Sequence, residues 1–312
     1  MDYSRQEKVI GKESQDKLGK STVAIVGLGA LGSCSAELLV RAGVGKLIIF
    51  DRDYVEESNL QRQHLFVKKD IGKPKAEIVS KSLKKITSDC KVVAYFDNFD
   101  HTSIKKIKNV DLILDCTDNL HTRFLINEFS IDNEIPWIYG AVIRGNGYVY
   151  NSVPKGPCFR CFVSETVGLD TCETAGVLGT ASTFISAVQS NEALKILSGR
   201  KYEKDLLHFN LLNNDFDKIK VSKNKKCPAC KKNFIYLNGK MGNYVDSLCG
   251  GSYLFYGKFD LKKLRKKFKK KVIDFGENFN YDNALTFFSD KVLIKAGSEK
   301  EAKSLFSKYV GD

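Results

Sequence analysis

Residues 23–62 read VAIVGLGALGSCSAELLVRAGVGKLIIFDRDYVEESNLQR, and the order of residue types in this stretch sets the architecture of the chain. The run 23–26 is short, apolar and rich in β-branched residues. Gly27, Gly29 and Gly32 follow as G-x-G-x-x-G, and the residues after them repeat with a helical period. The order is strand, tight turn, helix. Glycines let the backbone turn sharply and let a phosphate reach the first N–H groups of the helix, where unpaired donors and the macrodipole favour an anion. A second apolar run, 46–50, ends in Asp51, 22 residues beyond Gly29. A carboxylate at that offset accepts hydrogen bonds from a ribose. A nucleotide is the expected ligand, but the fingerprint alone does not name it, and NAD-dependent oxidoreductases share the same glycines.

Outward from this stretch, residues 1–20 are polar and predict a short helix. Gly19, Lys20, Ser21 and Thr22 imitate the end of a P-loop. Position 14 is Ser instead of Gly, however, and the element precedes a strand, whereas a phosphate cradle needs strand, loop and helix in that order. Downstream, Pro74 opens an amphipathic helix with apolar Ile78, Val79, Leu83 and Ile86. Strands are expected at 92–96, 110–116, 137–142 and 147–150, and a helix at 123–131. The run 110–116 leads into Thr117, Asp118 and Asn119, a loop at a strand's carboxyl end, where ligand groups gather. Alternating strands and helices imply an α/β fold of the Rossmann-like, doubly wound kind, with a mostly parallel sheet. Residues 154–174 form a long loop rich in Gly, Pro and Cys, followed by a helix at 180–197 and strands at 206–212 and 216–221. From about 238 the character changes. Residues 1–237 read as one domain and 238–312 as a small α+β unit, with a helix around Leu261, Leu264 and Phe268, two strands near 272–275 and 291–295, and a final helix at 299–309.

With 312 residues the chain can bury a full α/β core and a second small unit. No apolar run nears the roughly 20 residues that cross a bilayer, and the first residues hold no signal core, so a cytoplasmic protein is expected. Fifty Lys and Arg against 37 Asp and Glu leave a charge of +13, which suits nucleic acid, an acidic partner or solubility alone. The nine cysteines, in a chain of this size without a signal, point to metal or thiol chemistry instead of disulfides. Cys158 and Cys161, then Cys227 and Cys230, are two C-x-x-C pairs that together supply the four thiolates of a closed, structural zinc site. The 65 residues between the pairs make such an ion a staple for the domain, and four ligands leave no open position for catalysis.

Asn59, Arg62, Gln63, Lys75 and Asp118 put cations and a carboxylate after elements whose ends face the glycine loop. Dehydrogenases need no such set. Cations clamp charge that develops on a phosphate, and a carboxylate can hold a Mg²⁺ that bridges phosphate oxygens. At this point the chain resembles the MoeB/ThiF/HesA family, related to the ubiquitin-activating enzymes. The matching stretches are YSRQ (3–6), GLGALG (27–32), DRDYVEESNLQRQ (51–63), GKPKAE (72–77), DCTDN (115–119), YGAVIRGNG (139–147), PCFRC (157–161), TCETAGVLG (171–179) and CPAC (227–230).

The resemblance implies an adenylyltransferase: the C-terminal Gly-Gly carboxylate of a ubiquitin-like sulfur carrier protein attacks the α-phosphorus of ATP and pyrophosphate leaves. It implies a nucleotide site of Gly27, Gly29, Ala30, Leu31, Gly32, Asp51, Asp53, Asn59, Arg62, Gln63, Lys75, Asp118 and Asn119, with Asp51 on the ribose, Asp118 on Mg²⁺, and Asn59, Arg62, Gln63 and Lys75 on the phosphates. It implies that Arg5 reaches into the neighbouring subunit's site, which requires a homodimer. Cys172 matches a cysteine on which some members form a covalent link with the carrier, although its neighbours Asp170, Thr171 and Glu173 offer no cation to lower a thiol pKa. No rhodanese-like loop is present in the C-terminal unit, so sulfur is expected from a separate protein. Isolated Cys249 reads as structural. The lysine-rich segment 262–271 reads as a solvated helix face or as a site for tRNA or an acidic carrier. Two other readings stay open: an NAD-dependent oxidoreductase, which would leave Arg62, Lys75 and Asp118 without a task, and a non-catalytic carrier- or RNA-binding protein.

Overall fold

The computed structural model describes residues 1–164, 176–239, 246–248, 251–256, 259–268, 272–275, 278–288 and 291–310. Two compact units emerge, Met1–Asn238 and Gly239–Asp312. The first holds α1 (Ser4–Ile10), α2 (Lys12–Lys20), β1 (Thr22–Val26), α3 (Ala30–Arg41), β2 (Lys46–Asp51), α4 (Lys75–Ile86), β3 (Lys91–Phe96), β4 (Leu112–Asp115), α5 (Leu120–Asn133), β5 (Trp137–Ile143), β6 (Asn146–Ser152), α6 (Gly179–Leu197), β7 (Leu206–Asn210) and β8 (Asp215–Ile219). The strands form one sheet in the order β3-β2-β1-β4-β5-β6-β7-β8. From β3 to β5 neighbours are parallel, and from β5 to β8 they are antiparallel. Val23, Ile25, Leu47, Ile49, Leu112 and Leu114 are wholly buried, as expected of parallel strands covered on both faces. The chain runs outward from β1 to β3 and then returns to β4. This reversal leaves a crevice between the carboxyl ends of β1 and β4, where α/β sheets bind ligands.

The mostly parallel α/β sheet agrees with the sequence reading. Lys20 closes α2 and Thr22 opens β1, so residues 19–22 form no phosphate cradle. The amino terminus differs in detail. It carries two helices, broken at Gly11, whose φ of 84° lies in the left-handed region. Among the described residues no helix is long and apolar enough to cross a membrane.

The second unit contains β9 (Asp246–Leu248), β10 (Ser252–Tyr256), α7 (Leu261–Lys267), β11 (Val272–Asp274), β12 (Phe279–Tyr281), β13 (Leu285–Phe287), β14 (Lys291–Lys295) and α8 (Glu299–Tyr309). Its sheet runs β11-β12-β13-β14-β10-β9, and every neighbouring pair is antiparallel. Where the sequence suggested two strands, the described residues hold six. Phe255, Phe279, Phe287 and Ile294 form the core with Ala302 of α8, and Leu261, Leu264 and Phe268 pack onto it at their helical spacing.

Candidate functional site

The glycine loop is forced into shape by close backbone contacts. Gly27 has φ 87°, and a Cβ there would sit 2.7 Å from the Cys116 carbonyl oxygen. A Cβ on Gly32 would meet the Gly27 carbonyl oxygen at 1.8 Å, because α3 starts directly against the loop. Gly29 is the open one: a Cβ there would meet only Gln63 Nε2, at 3.9 Å. The loop is tied to its neighbours by Gly27 N–H donating to Phe50 O (2.9 Å) and Cys116 N–H to Val26 O (2.9 Å). Asp51, buried at the end of β2, accepts from the Leu28 N–H at 2.6 Å and from the Asp53 N–H at 2.7 Å.

Lys75 is the first residue of α4, a helix end that repels cations. Acids hold it there. Its Nζ lies 3.3 Å from Asp53 Oδ2, and its N–H donates to Asp53 O at 2.9 Å. Tyr54 pairs with Pro74 as an isolated bridge that fastens the two segments. Burial alone would lower the Lys75 ammonium, but Asp53, Asp51 and Asp118 outweigh it and leave its pKa raised. Burial dominates at Asp51, pushing it up to about 6 against the pull of Lys75. Gln63 is buried, and its Oε1 has no partner. Its Nε2 is the atom nearest the open glycine, and a buried acceptor without a donor on the same amide suits a polar ligand in this crevice.

The end of β4 is braced from below. Asp115 is fully buried and accepts from Arg123 Nε (3.2 Å) and from Thr117 N–H and Oγ1 (3.0 and 2.6 Å). Arg123 Nη2 donates to the Thr117 carbonyl, and the guanidinium lies 4.9 Å from the Tyr139 ring centroid. Burial pushes the Asp115 pKa up, with Arg123 opposing it. These contacts fix the turn that presents exposed Asp118. Gln189 of α6, also fully buried, donates through Nε2 to Asp115 O (2.8 Å) and Ile138 O (3.0 Å). It joins β4 to β5 behind the crevice.

Elsewhere the first unit brings Cys158, Cys161, Cys227 and Cys230 together, with their sulfurs within 4.8 Å of one another. Individual pairs lie at 3.8, 3.6, 3.6 and 3.5 Å. The edge of a zinc–thiolate tetrahedron with ~2.3 Å bonds is ~3.8 Å, so the donors fit such an ion in number and spacing. Burial and the neighbouring thiols push Cys158 far up, a cost for four thiolates that a divalent cation removes. One helix anchors both pairs. Asn127 Oδ1 of α5 accepts from the Phe159 N–H at 2.9 Å. The Glu128 carboxylate accepts from the N–H groups of Ile235, Tyr236 and Leu237 at 3.2, 2.9 and 2.9 Å.

The remaining candidates fall in different places. Asn59 is buried in a short 3₁₀ turn, Glu57–Asn59, where Oδ1 accepts from the Glu56 N–H at 3.1 Å. Arg62 bonds the Ser58 carbonyl at 2.9 Å beside Gly179, where α6 begins. Asn119 caps α5, accepting from the Thr122 N–H at 2.8 Å. Ala30 and Leu31 open α3. Arg5 is exposed on α1. Cys172 and Cys249 lie outside the described residues. The sequence reading missed Arg123, Asn127, Glu128 and Gln189. The polar pairs Asn127-Glu128 and Gln189-Ser190, set within apolar helical stretches, were the available signal.

Residues 3–229 match the ThiF family. The chain belongs to the ThiF family. Among relatives of this ThiF-family chain, the sulfur carrier protein ThiS adenylyltransferase of Bacillus subtilis is 34% identical, with 99% of each chain covered. The SAMP-activating enzyme E1 of Haloferax volcanii is 34% identical over 71% of this chain and 84% of that one. The solved structure of Escherichia coli MccB with ATP superimposes with a TM-score of 0.65 at 21% identity, over 73% of each chain. It has the same fold as the ThiF-family unit.

Proposed function

We propose that this chain is an adenylyltransferase that activates the C-terminal Gly-Gly carboxylate of a ubiquitin-like sulfur carrier protein with ATP. The observation that carries the reading is the meeting of the open glycine loop, Asp51, buried Lys75 with its acids, and the Asp118 turn at one reversal point of the sheet. The relatives in B. subtilis and H. volcanii bear names that describe carrier activation. A carboxylate oxygen of the carrier forms a bond to the α-phosphorus, the bond from that phosphorus to the bridging oxygen breaks, and pyrophosphate leaves with the electron pair. Asp51 accepts the ribose hydroxyls, and the Leu28 N–H it holds keeps the loop donors aimed at the phosphates. Lys75 and Arg62, with Asn59 and Gln63, face the phosphate charge, where fixed cations lower the barrier most. Asp118 would hold Mg²⁺, which neutralises phosphate oxygens when bound.

Cys158, Cys161, Cys227 and Cys230 would hold a structural Zn²⁺. A homodimer fits the surface beside Arg62. Leu178 and Phe184 are 42% and 41% exposed there and line a depression of about 670 Å³ with Gln61, His64 and Thr183. A second subunit on this face would cover them and bring its own Arg5 to the site. The test is ATP–pyrophosphate exchange with candidate carriers. Exchange that depends on a carrier's terminal Gly-Gly is expected, and its absence with every such carrier overturns the reading.

A further inference from the structure

The charge of the first unit is concentrated. Between Lys218 and Lys232 the chain carries seven lysines and no acid. Lys218 reaches back to Glu203 at 2.7 Å. Lys220, Lys223, Lys225, Lys226, Lys231 and Lys232 are all exposed and, among the described residues, close no ion pair. The run is held from both sides, since it leaves edge strand β8 and enters the cysteine cluster that Glu128 and Asn127 anchor. It is therefore a fixed basic face.

Its position follows from strand direction. β6 runs against β5, β7 against β6 and β8 against β7. Ile219 thus ends where the parallel strands begin, at the sheet end opposite Gly27, Asp51 and Asp118. Whatever binds there leaves the nucleotide crevice open. Protein interfaces are depleted in lysine and anchor on buried aromatic and apolar side chains, and from 220 to 232 only Val221, Pro228 and Ala229 are apolar. A row of lysine point charges with few apolar anchors matches a phosphate backbone better.

We propose that this lysine face binds the phosphate backbone of a single-stranded RNA segment, at the far end of the sheet from the adenylation crevice. The test uses the full chain and a labelled oligouridylate of about 20 nucleotides, followed by fluorescence anisotropy. If four phosphates are neutralised, raising salt from about 50 to 200 mM weakens binding about 50-fold. Replacing Lys223, Lys225 and Lys226 together by Glu should weaken binding at least about tenfold and flatten the salt slope, with pyrophosphate exchange unchanged. The matching triple change of Lys262, Lys263 and Lys266 to Glu on α7 should leave RNA binding as it was. Three results overturn the proposal: no binding at low salt, equal losses from both triple changes, or a polyglutamate peptide that competes at equal charge concentration. Because exchange is read separately, none of these results bears on the adenylation reading.

Discussion

Asp51 makes the sharpest residue-scale prediction. Burial pushes its carboxyl up to about 6. An acid raised in the folded state adds stability that is fully present below its ordinary value of 3.8 and lost as pH rises through about 6. Ribose recognition runs the other way, because only the ionised form accepts hydrogen bonds on both oxygens. Adenosine, which has no phosphate to titrate, should bind more tightly from pH 5 to 7 with a midpoint near 6, and calorimetry on Asp51→Asn should find that rise gone. Arg62→Ala and Asp118→Ala should each cut pyrophosphate exchange by about 10²-fold or more, since each removes a charge from the reacting phosphates. Exchange within about tenfold of the parent would remove that residue from the proposed mechanism. Asp51, Asp118 and the glycines were legible in the sequence because each sits at a strand end, and strand ends can be read from apolar runs. Lys75 was legible as a cation grouped with Arg62 and Asp118, but its burial was not. Its placement at a helix start opposes the dipole, and the acids that make it tolerable come from another segment.

At the scale of elements, the start of α3 tolerates no added atom. Gly32→Ala puts a methyl 1.8 Å from the Gly27 carbonyl oxygen, so the loop must open or the helix must shift. We expect a stability loss of about 1–3 kcal/mol by urea titration, from overpacking, together with loss of nucleotide binding. The other telling element is α5, whose first turns hold the Asp118 loop through Arg123 and whose centre holds the cysteine cluster through Asn127 and Glu128. Glu128→Ala strands three backbone N–H groups, and hydrogen bonds to a charged group contribute about 1.5–3 kcal/mol each. A melting temperature lowered by several degrees or more is expected, with Glu128→Gln recovering part of the loss. The sequence showed only that these polar residues interrupt apolar helical stretches, not what they hold. The backbone partners of Glu128 and Gln189 lie far away in the chain, and local periodicity carries no record of them. The short strands of the second unit escaped notice for a simpler reason. Runs of three residues such as Phe279–Tyr281 are too brief to establish a period of two.

For the whole molecule, the cysteine cluster joins segments 66 residues apart in sequence, counted from Cys161 to Cys227. If a zinc ion occupies it, a strong chelator should release one ion per chain and lower the melting temperature, because binding free energy to a folded site is folding free energy. Mass spectrometry of the intact protein counts the ion, and calorimetry reads the stability. Phe184→Arg, placed on the exposed apolar surface beside Arg62, should yield a monomer by sedimentation and abolish exchange, while a monomer that still exchanges would remove Arg5 of the second subunit from the site. The doubly wound order of the sheet was legible because alternating strands and helices permit few connections. The antiparallel extension from β6 to β8 was not, since strand direction there depends on pairing partners that the sequence does not label.

Gln189 and Gly140 carry a consequence for how this molecule can change. A Cβ on Gly140 would lie 2.7 Å from Gln189 Nε2, the atom that closes the Asp115 and Ile138 carbonyls. Any side chain at 140 evicts the amide and takes a donor from two buried carbonyls, yet trimming Gln189 alone removes the same donor. Each position locks the other, so single steps lead downhill from either side and only a concerted exchange could cross to a different packing. Substitutions at 140 and 189 should be strongly epistatic in a double-mutant cycle, and the crevice floor inherits that rigidity.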